Sequence, residues 1–155
     1  MALRKLIFFL AVIFCFTTPV FADTCTAPKI IEVPGQGAYL VVWNWTETDN
    51  TSVSCTASTG LYGYILQVQF IPDTTNPPAD LYDVVALDEH GYDWLGGVGA
   101  DQSSTVTTDG NVRTPLTNDF TYYALFGKRL TVTVSNTGTS GTDAGEIQML
   151  IKRFK

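Results

Sequence analysis

Histidine is almost absent from this chain: His90 is the only one in 155 residues. That scarcity excludes His-rich zinc sites, two-His-carboxylate iron sites and most Cys/His catalytic arrangements, which need imidazoles in number. A Ser-His-Asp triad would have to use His90, but there is no G-x-S-x-G elbow, and Gly138-Thr139-Ser140-Gly141 has the composition of a loop. The aspartic-protease sequence D-T-G is also missing. His90 itself lies in Asp88-Glu89-His90-Gly91, which reads as an exposed hairpin turn. Basic residues are few, nine Lys and Arg against 15 Asp and Glu. Only Lys128-Arg129 and Lys152-Arg153-Lys155 cluster, so no nucleic-acid partner is expected. Glutamate is limited to Glu32, Glu47, Glu89 and Glu146. A paired-carboxylate glycosidase needs only two acids, but a domain of this size leaves little room for a deep sugar cleft. The chain is read as non-catalytic and without a resident cofactor.

No apolar run is long enough to span a bilayer. The longest, Leu6–Phe16, has 11 residues, where about 20 are required. It follows Arg4 and Lys5 and precedes Thr17-Thr18-Pro19 and the small-residue exit Val20-Phe21-Ala22. This is the three-part pattern of a secretory signal peptide over residues 1–22, with cleavage expected between Ala22 and Asp23. Removing it takes Arg4 and Lys5 away and leaves seven basic against 15 acidic residues, a formal charge of −8 on residues 23–155. The mature chain is expected to be one secreted domain, periplasmic or extracellular, with no stable membrane insertion. Its length suffices to bury roughly two thirds of the unfolded surface. Cys15 leaves with the leader, and the remaining pair, Cys25 and Cys55, is expected to form a disulfide in an oxidising compartment. On the chain-entropy model, closing that loop contributes roughly 3–4 kcal/mol. A lipid anchor fits poorly, because Thr24 precedes Cys25 where a small Gly or Ala is wanted.

Helical periodicity is missing from the mature chain, and strand patterns take its place. Ala38–Thr46 sets Tyr39, Val41, Trp43 and Trp45 on one face and Leu40, Val42, Asn44 and Thr46 on the other. Leu61–Ile71 aligns Tyr62, Tyr64, Leu66, Val68 and Phe70, and Phe120–Phe126 aligns Phe120, Tyr122, Ala124 and Phe126. Leu81–Leu87 is apolar on both faces, as a central strand would be. Arg129–Ser135 presents Leu130, Val132 and Val134, and Glu146–Phe154 presents Ile147, Met149 and Ile151, with Phe154 in the opposite parity. Ile30–Val33, Tyr92–Leu95 and Thr105–Thr108 are shorter candidates. Gly-, Pro-, Asn- and Asp-rich segments separate them, and Asn136–Gly145 reads as the connection of a terminal hairpin. Seven to nine short strands at this spacing predict an all-β fold, a single antiparallel β-sandwich of jelly-roll or Ig-like type.

Two groups of residues suggest ligands. Acids thicken over residues 80–101, and oxygen-rich loops suit calcium, with Asp88, Asp93 and Asp101 as candidate ligands. The spacing is not that of an EF-hand, and Asp also favours turns through local hydrogen bonds. Trp43, Trp45 and Trp94 are candidates for stacking on a carbohydrate ring. Trp43 and Trp45 share a face, which is an aromatic platform if outward and core if inward; Tyr39 and Val41 beside them favour inward.

From Tyr82 onward the chain resembles small β-rich proteins encoded by phages and prophages. The similarity lies in Asp83-Val84-Val85-Ala86-Leu87-Asp88, in Gly91–Asp101, and in Lys128–Asn136 with Gly138 and the closing strand. It implies a virion- or surface-associated structural piece. The leader, the early cysteine pair, the Thr-rich strands and the near-terminal Phe154 are also similar to exported pilin-like subunits. The expected function is an exported structural or interaction module that binds a protein partner or itself. The alternative is a secreted carbohydrate-binding module, calcium-assisted or not.

Overall fold

Alternation of apolar and polar side chains is the dominant pattern, and the structure converts it to strand. A computed structural model describes residues 23–48, 51–110, 113–114, 121–122, 124–138 and 141–154. The leader expected at residues 1–22 lies outside the described residues, as does Phe120. In chain order the strands are β1 (Thr24–Cys25), β2 (Lys29–Val33), β3 (Ala38–Glu47), β4 (Ser52–Thr56), β5 (Leu61–Pro72) and β6 (Asp83–Leu87). They continue as β7 (Thr108–Gly110), β8 (Arg113–Thr114), β9 (Thr121–Tyr122), β10 (Ala124–Lys128), β11 (Thr131–Ser135) and β12 (Asp143–Lys152). Eight of these have five residues or more, matching the seven to nine expected. Among the described residues no helix is long and apolar enough to cross a membrane.

β12 is the centre of a seven-stranded antiparallel sheet, between β3 and β5. Each long neighbour carries two short strands along its far side, β1 and β2 on β3, and β10 and β7 on β5. A three-stranded antiparallel sheet, β4-β11-β6, packs across its inner face, and β8 pairs with β9 separately. The two larger sheets share one core, a two-layer solution that buries one face of each. Val41, Trp43, Trp45, Phe70, Ile147, Met149 and Ile151 come from the larger sheet, and Val53, Val84, Ala86, Val132 and Val134 from the smaller. Each fully buried side chain of this size contributes about 1.5–3 kcal/mol relative to exposure. The Cys25–Cys55 disulfide ties β1 to β4, and so sheet to sheet, across a Cα separation of 5.4 Å.

Four sequence expectations change. β11 and β12 do not form a hairpin: β11 pairs with β4 and β6, whereas β12 pairs over ten residues with β3, so the chain changes sheet between them. The long ladders available to β12 outweigh the short local pairing that a hairpin would offer. β6 is an edge strand and β11 is central. Tyr92–Leu95 contributes one bridge, Leu87 to Asp93, and the strand expected at Thr105–Thr108 begins only at Thr108.

The apolar character of β6 has another cause, because residues 88–102 fold back over its outer edge. Trp94 N–H donates to Ala86 O at 2.8 Å, Val84 N–H to Gly99 O at 2.7 Å, and Gln102 N–H to Tyr82 O at 2.8 Å. Buried Gln102 staples this strap, its Nε2 donating to the carbonyls of Val98 and Ala100 at 3.0 and 2.8 Å. Covering an edge removes a template for unwanted strand pairing.

Candidate functional site

The site begins with a change of phase in β5. Leu61, Gly63 and Ile65 point inward at its start, but Val68, Phe70 and Pro72 point inward at its end. The switch is a bulge: Gln67 pairs with Leu150 and Ile65 with Ile151, leaving Leu66 as the extra residue. The expected alignment of Tyr62 and Tyr64 with Val68 and Phe70 is thereby overturned. Tyr62 and Tyr64 emerge on the outer face, 59 % and 40 % exposed. Gly63 makes this course possible, since its φ is +140° and an added Cβ would lie 2.7 Å from the Ile151 side chain.

β10 repeats the device. Phe126 lies directly opposite Tyr62, and Gly127, at φ +69°, is the extra residue before Lys128 pairs with Leu61. Leu125 is buried and Phe126 is 69 % exposed, so Phe126 does not face inward. Past the end of β12, Phe154 completes the group. It stacks on Phe126 with ring centroids 4.6 Å apart and an interplanar angle of 16°, and meets Tyr64 edge-on at 4.8 Å. The opposite parity of Phe154 to Ile147, Met149 and Ile151 carries it to the outer side.

A groove of about 280 Å³ adjoins this cluster, lined by Ile30, Tyr39, Leu61, Tyr62, Arg153 and Phe154. Its floor is rigid: Tyr39 Oη accepts from the Tyr62 N–H at 2.9 Å and donates to the Tyr62 carbonyl at 3.0 Å. Burial pushes the Tyr39 hydroxyl up from its ordinary pKa, against the lowering effects of the Tyr62 bond and Arg153. The Arg153 guanidinium lies 5.2 Å from the Tyr39 ring centroid and pairs with Glu32. Further along the outer face, Gln67, Gln69 and Gln148 line a depression with Leu40 and Leu150. A larger one, about 440 Å³, includes Asn44, Thr46, Ile71, Asp73 and Glu146. Rings at one end are thus followed by a row of planar amides.

The sequence-nominated residues lie elsewhere. Trp43 and Trp45 are 0 % and 2 % exposed, which removes them as stacking platforms; Trp45 packs against Tyr82 at 6.1 Å. Burial pushes the Tyr82 hydroxyl up to about 12. Trp94 is half-buried against the core and meets Tyr92 edge-on at 5.5 Å. In this pair the more accessible ring is Tyr92, 50 % exposed.

The calcium candidates are occupied by the strap itself. Asp88 Oδ1 accepts from His90 and Tyr92 N–H at 2.9 and 3.1 Å, and its Oδ2 is 3.1 Å from Lys128 Nζ. Burial raises the Asp88 carboxyl, but these donors outweigh it and hold the group well below the usual carboxylate range. Asp93 Oδ1 accepts from Ala86 and Leu95 N–H at 3.1 and 3.0 Å, and its Oδ2 from Gly97 N–H at 3.1 Å. Asp101 is exposed, with a φ of 52°, and its N–H donates to Asp83 Oδ1 at 3.0 Å. Among the described residues no three His, Cys, Asp or Glu side chains converge in a way that would hold a metal. These acids shape the strap through Asx-type turns. His90 is an exposed turn residue, its side chain 76 % accessible.

No protein-family model and no curated protein matches the chain. Among solved structures the chain is similar to one titled "Crystal Structure of FLHE", at 12 % identity and a TM-score of 0.35. The alignment covers 74 % of this chain and 98 % of the other, and at that score it carries no argument. The disulfide is compatible with a periplasmic or secreted location.

Proposed function

We propose that the mature chain is an exported, non-catalytic interaction module of the cell envelope or exterior. It contacts a protein partner, or further copies of itself, through the aromatic end of the outer sheet face. The observation that carries this reading is Phe126, 69 % exposed yet stacked on Phe154 and opposite Tyr62. A contiguous exposed aromatic patch on a folded domain marks an interaction surface more often than an isolated apolar residue does. Aromatic side chains also dominate the energetic centres of protein interfaces. Bulges at Leu66 and Gly127 adjoin these rings, which contribute less to the core in their outward positions than inward rings would.

The test is size-exclusion chromatography with light scattering on residues 23–155, over a hundredfold range of concentration and with envelope extract from the host. The reading expects a defined assembly or complex that Phe126→Ser abolishes without altering the far-ultraviolet circular dichroism. A strict monomer that captures nothing removes it.

A second reading is favoured by the amide row. Planar amides beside exposed rings offer donors and acceptors to hydroxyl groups while a ring stacks on the sugar face, Gln69 and Gln148 each already placing one N–H on Asp109 and Glu146. Carbohydrate binding would then use Tyr62, Tyr64 and Phe126 with Gln67, Gln69 and Gln148, in place of the tryptophans. Retardation of the native chain, but not of Phe126→Ser, in gels containing neutral polysaccharides would select this reading.

A further inference from the structure

Glu47 and Asp143 form a buried acidic pair independent of the outer face. They are directly opposite one another on β3 and β12. Glu47 has no exposed surface and Asp143 is 8 % exposed. Residues so placed have Cβ atoms about 4.5–5.5 Å apart, close enough for like charges to oppose each other.

Their hydrogen bonding is unequal. Glu47 Oε1 accepts from Thr51 N–H at 3.1 Å, and Oε2 accepts from Thr137 Oγ1 at 2.8 Å. Asp143 Oδ2 is buried without a donor among the described residues. It faces Gly138, where an added Cβ would lie 3.0 Å away. A buried carboxylate left without a donor is costly, and two side by side cost more.

The neighbouring acids among the described residues have donors of their own. Just before β1, Asp23 stands one position beyond the Thr24–Thr46 pair, and its Oδ1 accepts from Thr48 N–H and Oγ1 at 2.8 and 3.0 Å. From the segment between β5 and β6, Ala79 reaches Thr137 through a backbone hydrogen bond. The acids of that segment are engaged elsewhere, Asp73 by Thr75 and Asn76 N–H and Asp80 by Ser104 N–H. The crossover itself contributes Thr137 and Gly138, neither of them charged.

We propose that Glu47 and Asp143 hold one proton between them, Asp143 donating to the Glu47 carboxylate, and that this pair is a pH-sensitive latch on the crossover from β11 to β12. The proton removes the like-charge contact and supplies the missing donor in one step. Thr137 on Glu47 and Gly138 against Asp143 then keep the crossover seated. Burial, followed by the charge of Glu47, pushes the Asp143 carboxyl above its ordinary value, in accord with the geometry. A carboxyl raised in the native state costs nothing below its unfolded pKa of about 3.9. The cost grows as pH climbs through the native value and is constant above it. The latch is therefore closed in acid and weakened toward neutrality.

Urea unfolding of residues 23–155 at pH 4 to 8 tests this, comparing the native chain with Asp143→Asn. The amide is a permanent donor, so the variant should have the higher midpoint at pH 7 to 8 and the two should converge near pH 4. A separation that stays constant over the range overturns the latch. So does calcium raising the midpoint of the native chain alone, which would assign the pair to a cation. Should the variant fail to fold, carboxyl-carbon NMR of the native chain decides. Asp143 titrating above the ordinary Asp range supports the shared proton, and a titration below it refutes it.

Discussion

On the inner face of the seven-stranded sheet, Tyr39, Trp43, Trp45 and Phe70 are at most 4 % exposed, whereas Tyr62, Tyr64 and Phe126 on its outer face are 40–69 % exposed. The inner rings pack against β4, β6 and β11 and belong to one continuous core. Among the described residues, the outer rings gather around Phe154, which stacks on Phe126 and meets Tyr64 edge-on. Composition does not separate the two groups, since tyrosine and phenylalanine occur in both. Phase does: the bulge at Leu66 turns the first half of β5 over, and Gly127 offsets β10 beside it. Aromatic residues can therefore serve as core on one face and as contact surface on the other within the same three or four strands.

Trp43→Ala on the inner face is the most severe way to break this contrast, since cavity formation there should cost about 3–5 kcal/mol in equilibrium unfolding. Gly63→Ala should cost more than about 1 kcal/mol, because alanine resists a positive φ and its Cβ would press on Ile151. Its effect is expected on the tyrosines as well, as a change in their near-ultraviolet signal. Phe126→Ala should have the smallest effect, within about 0.5 kcal/mol, as is usual for an exposed position. A Phe126 penalty approaching that of Trp43 would erase the distinction between the faces.

Much of the inner face was legible in the sequence. Tyr39, Val41, Trp43 and Trp45 alternate without interruption in β3, and Leu130, Val132 and Val134 do so around β11. Ile147, Met149 and Ile151 do the same in β12. An even number of cysteines beyond the expected leader pointed to Cys25–Cys55. The outer cluster was hidden because alternation was extended through β5 as though no residue were extra. A signal was present: Leu61, Gly63 and Ile65 form a second inward series, out of step with Val68 and Phe70. Strand partners were not legible, because β11 and β12 are adjacent in the chain yet take long ladders in different sheets. The strap at 88–102 left two readings open in the sequence, turn and calcium loop. Its aspartates bond to backbone N–H groups nearby, and sequence spacing does not distinguish a turn-forming carboxylate from a metal ligand.

The most direct measurement is photo-CIDNP NMR on residues 23–155, at a concentration where light scattering gives the monomer. The dye reaches only accessible rings, so the enhancement reports which aromatic side chains face solvent. The account expects Tyr62 and Tyr64 to be enhanced and Trp43 and Trp45 to be silent. Enhanced Trp43 or Trp45 beside silent Tyr62 and Tyr64 would contradict it.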